Sequence, residues 1–342
     1  MEKTSHKRPT IRDVARVAKV STATVSRALQ SPELVTENTR KAVFDAVTET
    51  GYSVNTAAQM LRRNRSGTIL VILPDISNPF FSEILSGIEN VATHEKLTIL
   101  IGNTNSEPER FLNILENLRN GRADGALLLN GVAPPVGMLP EHTPMVTISE
   151  SIAGSPLPHV GTDNEAAAYE STRYLISLGH KSIAHVTGPD GNQLTTDRRS
   201  GYAKAMREAG LSDNICEIRG GFEFQNGKEA VSALMRQPTK PTAVFCANDE
   251  SAMGVIRGLE GAGYNVPRDY SVMGFDNVSF SHIFSPELTT IHQARYEIGV
   301  KAMQALLALM GGQETESPIF LPHKIIERST TLPLTGRKVV PE

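Results

Sequence analysis

The sequence predicts an all-α, three-helix helix-turn-helix head joined by a hinge helix to a two-lobed α/β body with parallel sheets. Three observations carry this expectation. Charge is unevenly placed: the 342-residue chain has a net charge of -3, yet residues 1–66 hold twelve Lys/Arg against six Asp/Glu. Apolar spacing is helical up to Gly51 and turns into continuous apolar runs from Thr68 onward. The roughly 275 residues after the head exceed one comfortable core, which favours two lobes.

The head is built from short signals. Thr10 and Asp13 make a T-x-x-D capping box that opens IRDVARVA, with Val14, Val17 and Ala18 on one face. Lys19-Val20 is a tight break, and Ser21 caps a second helix, TATVSRAL, which turns Val25, Ala28 and Leu29 inward. Ser31-Pro32 stops it. Thr36 caps a third helix with Val43, Ala46 and Val47 inward, and Gly51 supplies the left-handed C-terminal cap. Three short helices, the first two closely joined, form the helix-turn-helix arrangement. Asn55 is a candidate cap for TAAQMLRR, a helix short enough to be marginal alone in water. The expected divisions are a head over 1–53, a hinge helix and linker over 54–66, and a body over 67–342.

The body alternates. TILVILP, LTILIGNT, GALLLNG, MVTIS, SIAHVTG, TAVFCAND and YSVMGFD read as strands, and SEILSGIENVATH, ERFLNILENLRNG, AAAYESTRYLISLG, GYAKAMREAG and SAMGVIRGLEGAG as helices. Nearly continuous apolar strands between helices imply parallel sheets covered on both faces. Ligands of such folds sit at the carboxyl ends of strands, between lobes.

Composition narrows the function class. A basic head (+6) on an acidic body (-9) points to a polyanion that meets the head alone. MEKTSHKRPT lacks the apolar stretch of a secretory signal and no run of ~18 apolar residues follows, so a cytoplasmic location is expected. Cys216 and Cys246 make no C-x-x-C, and Cys246 reads as a buried thiol. The phosphate-cradling, dinucleotide, nucleophile-elbow and H-E-x-x-H motifs are missing, and His185 reads as a core histidine. No enzyme activity, cofactor, metal or membrane contact is expected.

The stretches TIRDVARVAKVSTATVSRAL, TRKAVFDAVTETGY and AAQML, followed by VGTDN, RRSGY, VFCANDESAMG, GFDN and TTIHQARYEIG, resemble the lactose/galactose (LacI/GalR) repressor family over nearly the whole chain. Within it, DISNPFFSEI and QARYEIG look nearest the cytidine-repressor branch. The resemblance implies a periplasmic-binding-protein-like body and a homodimer that binds a near-palindromic double-stranded operator. It assigns Thr22 and Ala23 to specificity and Arg27 to base reading. Ser21, Thr24 and Ser26 carry hydroxyls suited to phosphate oxygens. On the hinge, Asn55 is a cap and Leu61 a minor-groove wedge, with packing against the body as the alternative; Val54 and Arg62 depart from the usual hinge pattern. Around the effector the resemblance gathers Asp163, Arg198, Phe222, Asn248, Asp276 and Gln293. Phe80 and Phe81 either stack on a ligand ring or belong to the core. The expected function is a transcriptional repressor whose operator affinity is set by a small molecule, a nucleoside or, alternatively, a pentose or hexose. A binding protein without regulatory DNA contact is the rival.

Overall fold

The computed structural model describes residues 9–53 and 65–334. Two compact units, residues 1–66 and 67–342, divide the chain.

In the head, α1 (Ile11–Val17) starts where Asp13 Oδ2 accepts from the Thr10 backbone N–H at 2.9 Å and from the Thr10 hydroxyl at 2.8 Å. Lys19, at φ 55°, makes the left-handed turn into α2 (Thr22–Gln30). Ser21 Oγ accepts from Thr24 N–H at 3.0 Å, which satisfies one of the unpaired amides of the new helix. A 3-10 turn over Pro32–Leu34 follows the Ser31-Pro32 stop. Helix α3 (Glu37–Thr50) ends at Gly51, φ 64°, where Tyr52 N–H bonds back to Val47 O at 3.3 Å. Thr36 departs from the expectation: it holds the cap position, but its hydroxyl meets Thr39 Oγ1 at 2.9 Å and no backbone amide. Val14, Val25, Ala28, Val43 and Ala46 fill the core between the three helices.

The body has two parallel sheets. The first lobe contains β1 (Thr68–Leu73), β2 (Thr98–Asn103), β3 (Gly125–Leu128), β4 (Met145–Ile148), β5 (His159–Thr162) and β11 (Ile319–Leu321), in the order β11-β5-β4-β3-β1-β2. The second contains β6 (Ile183–Val186), β7 (Ile215–Ile218), β8 (Ala243–Cys246) and β9 (Ser271–Met273), in the order β7-β6-β8-β9. Buried runs such as Ile69–Leu73 explain the absence of polar alternation in the strand sequences. Cys216 on β7 and Cys246 on β8 are both free, with β6 between their strands. One feature adds to the parallel pattern: β10 (Thr290–Gln293) pairs antiparallel with β12 (His323–Ile326).

The helices are α4 (Phe80–His94), α5 (Pro108–Arg119), α6 (Asn164–Ser177), α7 (Gln193–Glu208), α8 (Phe224–Met235), α9 (Asp249–Gly261) and α10 (Arg295–Met310). Pairs of them touch backbone to backbone through glycine. A Cβ on Gly299 of α10 would lie 2.1 Å from Ile84 O of α4, and one on Gly227 of α8 would lie 1.9 Å from Ser251 O of α9. These approaches fix the helix layers that hold the strand ends, and with them the loops that form the cavity.

Candidate functional site

Helix α2 has two faces. Val25 and Ala28 are buried, whereas Thr22, Ala23 and Arg27 are exposed and Ser26 is half-buried. Ser21 and Thr24 join hydroxyls at 2.8 Å at the start of the helix. The Arg27 side chain has no hydrogen bond or ion pair among the described residues, so its guanidinium keeps its full donor fork. Arg12, Arg16 and Lys19 are exposed nearby in sequence. A polar, arginine-bearing helix face on a three-helix unit matches the dimensions and donor chemistry that a major groove accepts. The sequence-derived hinge assignments, Asn55 and Leu61 together with Val54 and Arg62, lie outside the described residues.

In the body a cavity of about 230 Å³ opens where strand ends of both lobes converge. Six of the eight expected effector residues line it: Phe80, Phe81, Arg198, Phe222, Asn248 and Asp276. Phe80 and Phe81 stand edge to face with ring centroids 5.2 Å apart, and Phe222 is half-buried. Both phenylalanines are also counted among the buried core, so the two alternatives for them merge: each packs inward and shows a ring to the cavity.

Arg198 projects from α7 and is almost wholly buried. Its Nε donates to Asn164 Oδ1 at 3.0 Å, its Nη1 donates to Ala247 O, and its guanidinium carbon sits 3.8 Å above the Phe275 ring. Its Nη2 lies 3.8 Å from Asp276 Oδ1. Asp276 follows β9 in GFDN at φ 113° and lines the cavity. Burial pushes the Asp276 carboxyl up to about 6, against the opposing pull of Arg198, Arg295 and Gln293. Asn248 caps α9, its Oδ1 accepting from Ser251 N–H at 2.9 Å while its Nδ2 donates to Phe222 O at 2.9 Å.

Two expected residues stand elsewhere. Asp163 does not line this cavity; its Oδ1 is taken up as the cap of α6, accepting from Ala166 N–H at 2.9 Å, and it faces a neighbouring hollow. Gln293 sits behind the wall, fully buried, and donates from Nε2 to Asp276 Oδ1 at 2.7 Å. It orients the carboxylate that the cavity exposes.

Sequence reasoning missed Glu150 and Asn192. Glu150 lies just past β4, and its Oε1 accepts from Asn192 Nδ2, on the cap of α7, at 2.7 Å. This bond joins the two lobes across the cavity. Burial raises the Glu150 carboxyl above its usual value, with the Asn192 bond pulling the other way. The position of Glu150 at a parallel strand's carboxyl end was the available signal. His185 is buried, with Nδ1 3.0 Å from Phe245 O and its ring stacked on Phe245 at 4.8 Å.

Head and cavity together define a DNA-binding transcriptional regulator whose body takes a small molecule, and the chain belongs to the lacI family of bacterial regulatory proteins. That family's model matches residues 10–55, and the periplasmic binding protein-like domain matches residues 172–331. The chain is 41% identical over 312 residues to the HTH-type transcriptional repressor CytR of Escherichia coli (strain K12), covering 90% of this chain and 92% of that protein. To Catabolite control protein A of Priestia megaterium it is 37% identical over 328 residues, 94% of this chain and 99% of that one. Among solved structures, the lac repressor dimer bound to operator and the anti-inducer ONPF is 26% identical, with a TM-score of 0.86, over 95% of this chain and all of that one. A LacI family regulator from Enterococcus faecium with bound ribose is 29% identical, with a TM-score of 0.70, over 78% of this chain and 99% of that one. Among the described residues no helix is long and apolar enough to cross a membrane.

Proposed function

We propose that the chain works as a homodimeric repressor of a near-palindromic operator, and that its effector is a nucleoside. The observation that carries the effector reading is the composition of the 230 Å³ cavity: three phenylalanines beside Arg198, Asp276, Asn248 and Glu150. A heterocyclic base fits between aromatic faces. Ribose hydroxyls suit carboxylates and a guanidinium, each able to make paired hydrogen bonds. The ribose bound by the Enterococcus faecium relative supports a pentose recognition element and also favours a free pentose as the second reading.

In this reading residues 1–53 are the reading head, 54–66 the hinge and 67–342 the effector body. Thr22, Ala23 and Arg27 read base edges, while Ser21, Thr24 and Ser26 hold phosphates. By family resemblance Asn55 caps the hinge helix and Leu61 wedges into the minor groove. Effector contacts on Glu150 of the first lobe and on Arg198 and Asp276 of the second bias the angle between lobes, and a coupling of ~1–3 kcal/mol changes operator affinity by roughly five- to 150-fold. A thermal-shift series with cytidine, uridine, adenosine and ribose tests the effector. A nucleoside that raises the melting point more than ribose at equal concentration supports the reading, because a ligand of the folded state stabilises by mass action. A response to ribose alone favours the pentose, and no response to any nucleoside removes the assignment.

A further inference from the structure

Asp276 and Asn277 are consecutive residues with positive φ, 113° and 54°, and neither is glycine. Such backbone is costly for other residues and persists where the surroundings over-determine it. Asp276 lines the 230 Å³ cavity, whereas Asn277 does not.

Each polar group of Asn277 is engaged. Its N–H donates to the Thr290 hydroxyl at 3.3 Å, and its carbonyl accepts from Arg295 Nη2 at 2.9 Å. Its Oδ1 accepts from Arg328 Nη2 at 2.7 Å, and its Nδ2 lies 3.1 Å from His292 Nδ1. Burial, and after it Lys324 and Arg295, lower His292, so its neutral ring can accept that bond. A half-buried residue next to the cavity, held at four points and facing no ligand, has the character of a support for the turn.

The tethers lead to other elements. Arg295, 2% exposed, opens α10, and its Nη2 also lies 2.9 Å from Glu83 Oε1 on α4, the helix that begins with Phe80. Arg295 Nε and Nη1 have no hydrogen-bond partner, so Nη2 alone joins the turn to α4. Arg328, just after β12, also donates from Nη1 to Leu288 O at 2.6 Å. One guanidinium thus holds the Asp276 wall of the second lobe and the Phe80 wall of the first.

We propose that Asn277 is a positioning residue for the effector cavity: held by Arg295 and Arg328, it fixes the Asp276 carboxylate opposite Arg198 and ties that wall to the Phe80 wall. Its regulatory meaning rests on the effector reading of the cavity, whereas its hold on Asp276 is testable with no effector present.

The test is a stability cycle on the full-length protein, by urea unfolding at about pH 4 and pH 6 without ligand. Burial pushes the Asp276 carboxyl up to about 6, so subtracting the Asp276→Asn variant in each background isolates a pH dependence that belongs to Asp276. The charged groups facing Asp276 are Arg198 of α7, Arg295 of α10, and Asp249 and Glu250 of α9, with His292 of β10 beside Asn277; all stay unchanged. With Asn277 present the difference should fall from pH 4 to pH 6. Asn277→Gly suits the φ of 54° and removes the side-chain tethers, so Asp276 reaches water and the fall should shrink at least twofold. A residue serving stability alone would lower both values equally and leave the fall unchanged; that result, or no fall with Asn277 present, overturns the proposal. Should Asn277→Gly fail to fold by circular dichroism, Arg328→Lys, which keeps the charge and loses the paired donors, should shrink the fall too, and an unchanged fall there overturns it equally. Calorimetry with cytidine adds the ligand: where the wild type binds it, Asn277→Gly should bind at least fivefold more weakly, and equal affinity overturns the proposal. A wild type that ignores cytidine counts against the nucleoside reading, and the cycle then decides alone.

Discussion

Arg198 Nη2 and Asp276 Oδ1 face each other across 3.8 Å inside the body, both side chains nearly withdrawn from solvent. That gap is too long for a hydrogen bond. The pair therefore attracts without closing, and a ligand hydroxyl can bridge it. Gln293 behind Asp276, together with Asn164 and the Ala247 carbonyl around Arg198, keeps each group in place.

Removing one partner should be expensive. Arg198→Ala leaves Asp276 buried with only the weaker pull of Arg295, and breaking a buried pair typically costs about 3–5 kcal/mol. The expected outcome is a lower urea midpoint, loss of effector-induced stabilisation, and operator binding retained at low temperature. A variant that responds to effector as the wild type does would move the pocket elsewhere.

The raised carboxyl of Asp276 gives a pH dependence with a definite sign. Its folded value of about 6 exceeds the ordinary 3.8, so the native state holds the proton more tightly than the unfolded chain. The associated stability is fully present below about pH 4 and is lost as pH rises through about 6, on the order of 3 kcal/mol in all. His185, lowered to about 4 by burial, runs the opposite way, its contribution being lost as pH falls towards 4. The two must be separated by subtraction. Wild-type stability minus that of Asp276→Asn should fall between pH 4 and 6, measured by urea unfolding at half-unit steps; a flat difference contradicts the assignment.

Gly299→Ala should destabilise the body. In a solvent-exposed helix interior this change stabilises by up to about 1 kcal/mol. Here the new methyl would meet Ile84 O at 2.1 Å, so α4 and α10 must separate. A loss of about 1–3 kcal/mol or more is expected from overpacking, and a raised melting point would show that the two helices do not lie this close.

Ser21→Ala removes the side chain that caps α2 and should cost the head about 0.5–2 kcal/mol. Thermal unfolding of residues 1–66 followed by far-ultraviolet circular dichroism reads it. Ser21→Asp, which can still cap, should recover most of the loss; if it recovers none, capping is not the role of Ser21 in stability.

Much of the fold was legible because its signals are local. The face of α2, the caps at Ser21 and Gly51 and the buried strands from β1 onward each depend on a few adjacent residues. Helices α8 and α10 and strands β5, β7, β10, β11 and β12 were not read as elements, because their sequences carry no boundary signal of their own until distant partners cover them. The helix glycines are a sharper case. Gly227 and Gly299 look like weak points in helices, and only the neighbouring backbone reveals their use. In the cavity, aromatic and charged residues after strands were found, whereas Asp163 was misplaced because an aspartate before a helix serves equally as a cap. Glu150 and Asn192 come from different lobes, and nothing local ties them together.

The proposed function requires that α2 read a particular duplex and that a metabolite in the 230 Å³ cavity control the reading. The most direct measurement is a gel-shift titration of the full-length protein on a palindromic site upstream of its neighbouring genes, against random duplex at matched salt, with and without nucleoside, and repeated for Arg27→Ala. A preference of ~10³-fold or more for the site is expected. Nucleoside should shift operator affinity several-fold, and Arg27→Ala should lose about 1–3 kcal/mol on the site while leaving random duplex less affected. Equal affinity for site and random duplex, with every nucleoside and without, would contradict it.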